Sequence, residues 1–417
     1  MAKFHTTMSR RDFMKTLGIT GAGIGAAAAV APKFADLDEM AESPKGSWER
    51  PWWVKEVDKP TAEVDWQVMP YFDNRETMFN PNSFIKQIGQ EEYDRLNQLR
   101  ATNRTNWAQE ERPGFSLKDI ALNSSTGFGY AYGMNANFVP PKVSQPEDYG
   151  VSKWQGTPEE NLQLLRAAGR YFGARDVGVY ELDQNTRKTV YSFESDGKAY
   201  EFENVDHGYE TDTKRVIPDK AKYVVIFTVL ESQEMMKRAP DNLSSASVSM
   251  GYYQGAIVNN RLQSFISRLG YECLAEKGSN AMVQCAGAQS LAGIAEIGRM
   301  SLTVLNPDFG PIVRAYKVIT DLPLKPTKPI DSGMMTFCKT CKLCGDACPS
   351  GAISMEDEPS YDIQGPWNKP GIKNWYYNGA KCLSWWRNVT TGCSTCRSAC
   401  PFAAKNHASI HDYLVKP

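Results

Sequence analysis

Apolar positions recur along this chain at helical spacing in some stretches and gather into short continuous runs in others. Thr157-Pro158-Glu159-Glu160 reads as a capping box with proline at the first helical position, and Leu162, Leu165, Ala168 and Phe172 then share one face, which predicts a helix. A strand is expected over 177–182, and the β-branched apolar run 223–230 has the character of a strand buried on both faces. Ile257, Leu262, Phe265 and Leu269 give 248–269 a helical period; a further helix is expected over 289–299, followed by strands at 301–305 and 312–320. Strand and helix alternate, so the fold class is α+β. The stretch 42–155 is rich in Trp, Pro and Asn, with a polar helical segment near 90–100, and its function is not readable from pattern. The Pro- and Lys-rich 321–333 reads as a linker, after which composition turns to cysteine, glycine and aromatics.

With 417 residues the chain is long enough for two or three domains. Its 47 Lys+Arg against 48 Asp+Glu exclude the basic footprint of a nucleic-acid partner and the charge excess of a disordered tail. Residues 9–15, SRRDFMK, precede a small-residue apolar stretch at 17–31, the order of a twin-arginine export signal. That stretch is too short and too rich in Gly and Ala to span a bilayer, so cleavage is expected. The division that results is a signal peptide at 1–36, an N-terminal region at 37–156, a core at 157–325 and a linker with a cysteine-rich domain at 326–417. No later segment reaches spanning length without charges, so the mature protein is expected to be soluble or held at a membrane by a partner.

Eight of the ten cysteines lie between Cys338 and Cys400; Cys273 and Cys285, the other two, are expected to be buried apolar residues. Cys338, Cys341, Cys344 and Cys348 with Pro349 spell C-x2-C-x2-C-x3-C-P, the bacterial ferredoxin pattern for four-iron, four-sulfur clusters, and Cys393, Cys396 and Cys400 with Pro401 repeat its second half. In two-cluster ferredoxins the fourth cysteine of each run binds the other cluster, which groups Cys338, Cys341, Cys344 and Cys400. Cys348, Cys393 and Cys396 then lack a ligand. A regular repeat would place it at Thr390; Cys382, separated from Cys393 by ten residues, can supply the thiolate instead. Export normally favours disulfides, and zinc would explain four thiolates, but neither explains an interlocked second set followed by proline. Twin-arginine substrates cross folded, so clusters can be assembled before export. A two-cluster domain is an electron wire, and the residues upstream must do something else.

The sequence resembles the corrinoid-dependent reductive dehalogenases from the export signal through the region 157–401. LGYECLAEKGSN, AEIGRMSLTVLNPDFGPIVRAYKVITDLPL and the two cysteine motifs carry the resemblance. It implies a nitroreductase-like core that binds cobalamin, followed by a ferredoxin-like domain with two four-iron clusters. It also implies replacement of carbon-bound halogen by hydrogen on a small organohalide, as the terminal step of an anaerobic respiration. The partners implied are a small integral-membrane anchor protein, an upstream respiratory electron donor and the twin-arginine translocase, with the enzyme peripheral on the outer face of the cytoplasmic membrane.

Reductive removal of halide takes two electrons and one proton, so a proton donor is required beside the relay. The family pattern places a tyrosine at Tyr252, with adjacent Tyr253 as competitor, an arginine at Arg314 and a polar residue at Asn280. An ordinary tyrosine is a weak acid, and a permanently charged guanidinium that stabilises the phenolate makes it a useful donor. Each has a bland alternative: core packing for the tyrosine, surface charge for the arginine, a turn for the asparagine. Arg299 also fits the family text, or serves as a charge at a helix C-terminus. The aromatic residues Trp367, Trp375, Tyr376, Tyr377, Trp385 and Trp386 are candidates to shield a cluster, to face the corrinoid or simply to pack. No cobalt-ligating motif is evident: Asp206-His207-Gly208 lacks the D-x-H-x-x-G spacing, and the chain holds four histidines in all. The rival readings are an epoxyqueuosine-reductase-like cobalamin enzyme, which the export signal opposes, and a non-catalytic iron-sulfur electron-transfer subunit.

Overall fold

The computed structural model describes residues 50–51, 53–126, 136–278 and 281–403; the expected signal peptide lies outside them. At its centre is an antiparallel sheet of four strands, β1 (Asp176–Glu181), β2 (Tyr223–Leu230), β3 (Cys273–Ala275) and β4 (Val313–Thr320), in the order β1-β2-β4-β3. The continuous apolar run of β2 follows from burial on both faces. Val225, Phe227 and Val229 pack with Leu162, Leu165, Ala256, Leu262 and Ile266, whereas Val224 and Ile226 pack with Ile294, Ala295 and Met334. The first group belongs to the layer formed by the helices α1 (Pro158–Phe172) and α2 (Asn242–Arg268); the second faces the cysteine-rich domain.

The helix starts follow local chemistry. Thr157 caps α1 in a reciprocal box: its hydroxyl accepts from the Glu160 amide at 3.3 Å, and the Glu160 carboxylate accepts from the Thr157 amide at 2.7 Å. Asp241 caps α2 by accepting from the Leu243 and Ser244 amides. α2 therefore begins before the periodic segment of the sequence, because its first turns are Ser- and Ala-rich and carry no apolar signal.

Two expectations are corrected. The helix expected over 289–299 is instead α3 (Cys285–Leu291), followed by a two-residue strand Glu296–Ile297 paired with Val304–Leu305. Gly293 ends it: the residue sits at φ +64°, and a Cβ there would lie 1.9 Å from the Lys328 carbonyl oxygen, so the chain turns against a neighbouring segment. That neighbour is the expected linker, which is a packed strap. Leu322 and Leu324 are buried, the Asn161 amide donates to the Pro323 carbonyl, and Ile330–Asp331 pairs with Lys55–Glu56. The buried Glu296 carboxylate accepts from the Ser332 and Met334 amides and from the Ser332 hydroxyl, which fixes the start of α4 (Met334–Thr340), the helix that carries Cys338. No helix among the described residues is long and apolar enough to cross a membrane.

Candidate active site and cluster sites

A cavity of about 1110 Å³ lies between the sheet, α2 and the cysteine-rich domain. Tyr252 and Arg314 meet on its wall. Tyr252 comes from α2 and Arg314 from the start of β4; Arg314 Nη1 lies 3.4 Å from Tyr252 Oη, and its guanidinium carbon 4.5 Å from the ring centre. Of the two adjacent tyrosines, Tyr252 lines the cavity, while Tyr253 is not among the lining residues. Tyr316 fixes the helix here by donating from its hydroxyl to the Tyr252 carbonyl at 2.9 Å. Asn280 lies outside the described residues.

Glu231, directly after β2, is the residue that sequence reasoning missed. Its carboxylate is fully buried, and one oxygen accepts from Arg314 Nε at 2.9 Å and Nη2 at 2.7 Å. The other accepts from Nη2 of Arg397, the residue after Cys396. Arg397 also donates to the Pro311 carbonyl from Nε at 3.0 Å and from Nη2 at 2.7 Å. Burial works against the Arg314 charge, but the Glu231 carboxylate and Tyr252 outweigh it, and the guanidinium is held even more firmly protonated than usual. Gly251 makes the approach possible, since a Cβ there would lie 2.9 Å from Glu231 Cγ and 3.3 Å from Arg314 Cβ.

The eight C-terminal cysteines line two different cavities. Cys338, Cys341, Cys344 and Cys400 surround one small cavity with Arg299, Phe337 and Phe402. Cys348, Cys382, Cys393 and Cys396 lie together on the wall of the large cavity. None of the ten cysteines is in a disulfide. Burial pushes the thiols of Cys338 and Cys382 up to about 12 and that of Cys344 to about 11, so thiolates there require a cationic partner. No three His, Cys, Asp or Glu side chains among the described residues are close enough to share one metal ion. A four-iron cage takes one thiolate at each iron and spreads its cysteines wider than a single ion does.

Arg299 is not a helix-terminal charge. It is completely buried, packs 4.9 Å from the Trp375 ring centre, and donates to the carbonyls of Cys338, Lys339, Cys341, Ser354 and Glu356, pinning the loop of the first set. Each such charge-assisted bond is worth about 1.5–3 kcal/mol. Arg299→Ala is therefore expected to destabilise the protein by more than about 3 kcal/mol and to release iron from the first set preferentially. Thermal denaturation and iron counts at matched temperature check this.

Of the aromatic group, Trp367, Tyr376, Tyr377, Trp385 and Trp386 line the large cavity, and Trp375 packs in the core. Cys273 is buried in β3, but Cys285 is only partly buried and lines the cavity, a correction that follows from its place at the start of α3. His207 is exposed and pairs with Glu272, away from the cavity lining. Part of the wall comes from the unreadable N-terminal region, including Phe72, Thr77, Met78 and Phe79. Three buried polar atoms of lining residues have no hydrogen-bond partner in the protein, Ser245 Oγ, Gln284 Nε2 and Gln289 Oε1, while the Trp385 indole is directed at the Cys393 thiol.

Residues 49–199 and 193–324 match the family described as reductive dehalogenase subunit, and residues 337–403 match the 4Fe-4S double cluster binding domain. The chain is 32% identical to the chloroethene reductive dehalogenase of Dehalococcoides mccartyi (strain VS) over all of its own length and 91% of that relative. It is 28% identical to the tetrachloroethene reductive dehalogenase of Sulfurospirillum multivorans, over 97% of this chain and 86% of that one. Among solved structures it resembles the catabolic reductive dehalogenase NpRdhA with a TM-score of 0.63 at 21% identity, covering 87% of this chain and 46% of the other, so it spans about half of that structure. A reductive dehalogenase structure described in terms of B12-dependent dehalogenation gives a TM-score of 0.64 at 21% identity, with the same coverage.

Proposed function

Because the chain belongs to the reductive dehalogenase family, an oxidoreductase family acting on carbon–halogen bonds, we propose that it replaces a carbon-bound chlorine of a small organohalide by hydrogen. We read it as the exported terminal reductase of a respiratory chain, with a membrane anchor and an electron donor as partners. One observation carries the proposal: Tyr252 with its guanidinium partner and the Cys348, Cys382, Cys393, Cys396 set share the wall of a single cavity.

The reaction is R–X + 2e⁻ + H⁺ → R–H + X⁻. The cavity exceeds the roughly 300–1,000 Å³ of ordinary ligand pockets, and its three orphaned polar atoms, donors and acceptors both, suit a large ligand fringed with amides such as cobalamin. Ser245, Gln284 and Gln289 are the residues that would hold it. When bound, a corrinoid would supply a strongly reducing cobalt centre, and clusters on the two cysteine sets would supply electrons one at a time. The protein's own part is proton delivery and exclusion of water. Tyr252 Oη gives up its proton, Arg314 stabilises the phenolate that remains, and Glu231 fixes the orientation of Arg314. Phe72, Phe79, Trp367 and Trp386 provide an apolar wall for a chlorinated hydrocarbon. The relatives named for chloroethenes support that substrate class.

The test is anaerobic reconstitution with iron, sulfide and cobalamin, followed by cobalt and iron analysis and by halide release from chlorinated ethenes and arenes with an artificial reductant. One corrinoid and eight irons per chain with halide release are expected. Eight irons without corrinoid binding would turn the assignment into that of an electron carrier.

A further inference from the structure

Glu231 occupies a position that proton donation alone does not require. A single buried carboxylate is shared by two arginines that serve different parts of the molecule. Arg314 faces Tyr252; Arg397 lies in the helical turn Thr395–Ser398 beside Cys396, one of the second cysteine set. The three charges together carry one net positive charge, and removal of the fully buried carboxylate leaves two largely buried guanidiniums uncompensated. In such surroundings charge interactions over a few ångströms are far stronger than in bulk solvent. A change at either end of Glu231 is therefore felt at the other.

Resting on the reading above, we propose that Glu231 is a positioning residue that couples electron acceptance at the second cluster to proton donation by Tyr252, by dividing its charge between Arg397 and Arg314. When the carboxylate leans on Arg397, the positive field at the cluster weakens and that at Tyr252 strengthens; the reverse holds when it leans on Arg314. The ion-paired arrangement thus sets two properties of the site with one charge. The other titratable groups around Tyr252 are Tyr316, on β4 with Arg314, and Cys285, on α3 across the cavity; the buried Lys317–Glu276 pair stands behind them. Glu231 hydrogen-bonds both arginines and so links the two ends of the site. Arg397's two bonds to the Pro311 carbonyl hold its guanidinium in place if the carboxylate is neutralised, so the charge can be altered without losing the geometry.

The experiment uses the full reconstituted chain and two substitutions of opposite sense. Glu231→Gln removes the shared negative charge. It is expected to move the midpoint potential of the second cluster positive by at least a tenfold change in its reduction equilibrium, about 59 mV for one electron, with that of the first cluster unmoved. The alkaline limb of the turnover profile moves to lower pH, because Arg314 then favours the phenolate more strongly. Arg397→Gln leaves the carboxylate wholly to Arg314 and should move both readouts in the opposite directions, whereas Glu231→Asp should recover part of the wild-type values. Redox titration followed by electron paramagnetic resonance reads the potentials without any organohalide. Potentials that do not move, or that move equally at both clusters, overturn the coupling even if halide release is normal. Wild-type protein that takes up clusters but releases no halide defeats the functional reading and leaves the potential measurement intact. If Glu231→Gln fails to assemble, Arg397→Gln and Glu231→Asp decide the matter alone, and unchanged potentials in both overturn the proposal.

Discussion

Tyr252→Phe is expected to lower turnover by about 10²- to 10⁴-fold, the usual worth of a positioned proton donor, with iron and corrinoid contents unchanged. Phenylalanine keeps the ring that Arg314 covers and removes one oxygen atom, the one 3.4 Å from Arg314 Nη1. The helix does not depend on that oxygen for its position, since Tyr316 holds it through the Tyr252 backbone carbonyl. Loss of activity would thus report proton delivery rather than misfolding. The control is Tyr253→Phe, which alters a residue off the cavity wall and should leave halide release as it was. Single-turnover halide release in matched reconstituted samples makes the comparison. Unchanged release in Tyr252→Phe would remove this residue from the mechanism, and loss in the Tyr253 variant would exchange the two.

What could be read in advance depended on how far the cause of each feature lies along the chain. The strand 223–230 was legible because burial on both faces leaves a continuous apolar run, and α1 because its capping box and proline are four consecutive residues. The two-cluster domain was legible because cluster chemistry dictates cysteine spacing within one short segment. Glu231 was not, because its partners are 83 and 166 residues away, and one carboxylate in a sequence with many looks like any other. Arg299 failed for the same reason. Its five carbonyl acceptors come from the end of α4 and from a separate segment at 354–356, and no local pattern distinguishes a buried staple from a helix-end charge. The helix misplaced over 289–299 shows the converse error, an apparent periodicity overridden by one glycine pressed against the strap. The wall from residues 72–81 is made of short turns around a single 3-10 turn, Asn74–Glu76, ahead of a helix that starts at Pro81, so the shape of the substrate space could not be read from pattern.

Cys382→Ser is the substitution expected to have the largest effect on the cofactors. Iron should fall from eight per chain toward the content of one cluster, with the second cluster's signal lost or converted to that of a three-iron form and halide release abolished. The residue is the irregular member of its set. A strict repeat calls for a ligand at 390, but Thr390 sits at φ +61° and faces a separate small pocket with Arg100 and Arg104. Cys382 comes instead from the helix Gly379–Asn388, whose start is capped by Asn378 accepting from the Lys381 amide, and it reaches the cavity wall beside Cys348, Cys393 and Cys396. Serine preserves the size and the helix but offers a hydroxyl that does not ionise as a thiol does, so a cage that needs an anionic fourth ligand is left open at one corner. The first set, enclosed separately by Arg299 and the two phenylalanines, should keep its iron. Iron and sulfide analysis with resonance spectra of the reduced protein distinguishes the outcomes, and Thr390→Ala, which should retain all eight irons, is the matched control. A Cys382→Ser protein with eight irons and an unaltered spectrum would mean that the second cluster takes its fourth ligand elsewhere, and the pairing of the two sets would have to be redrawn.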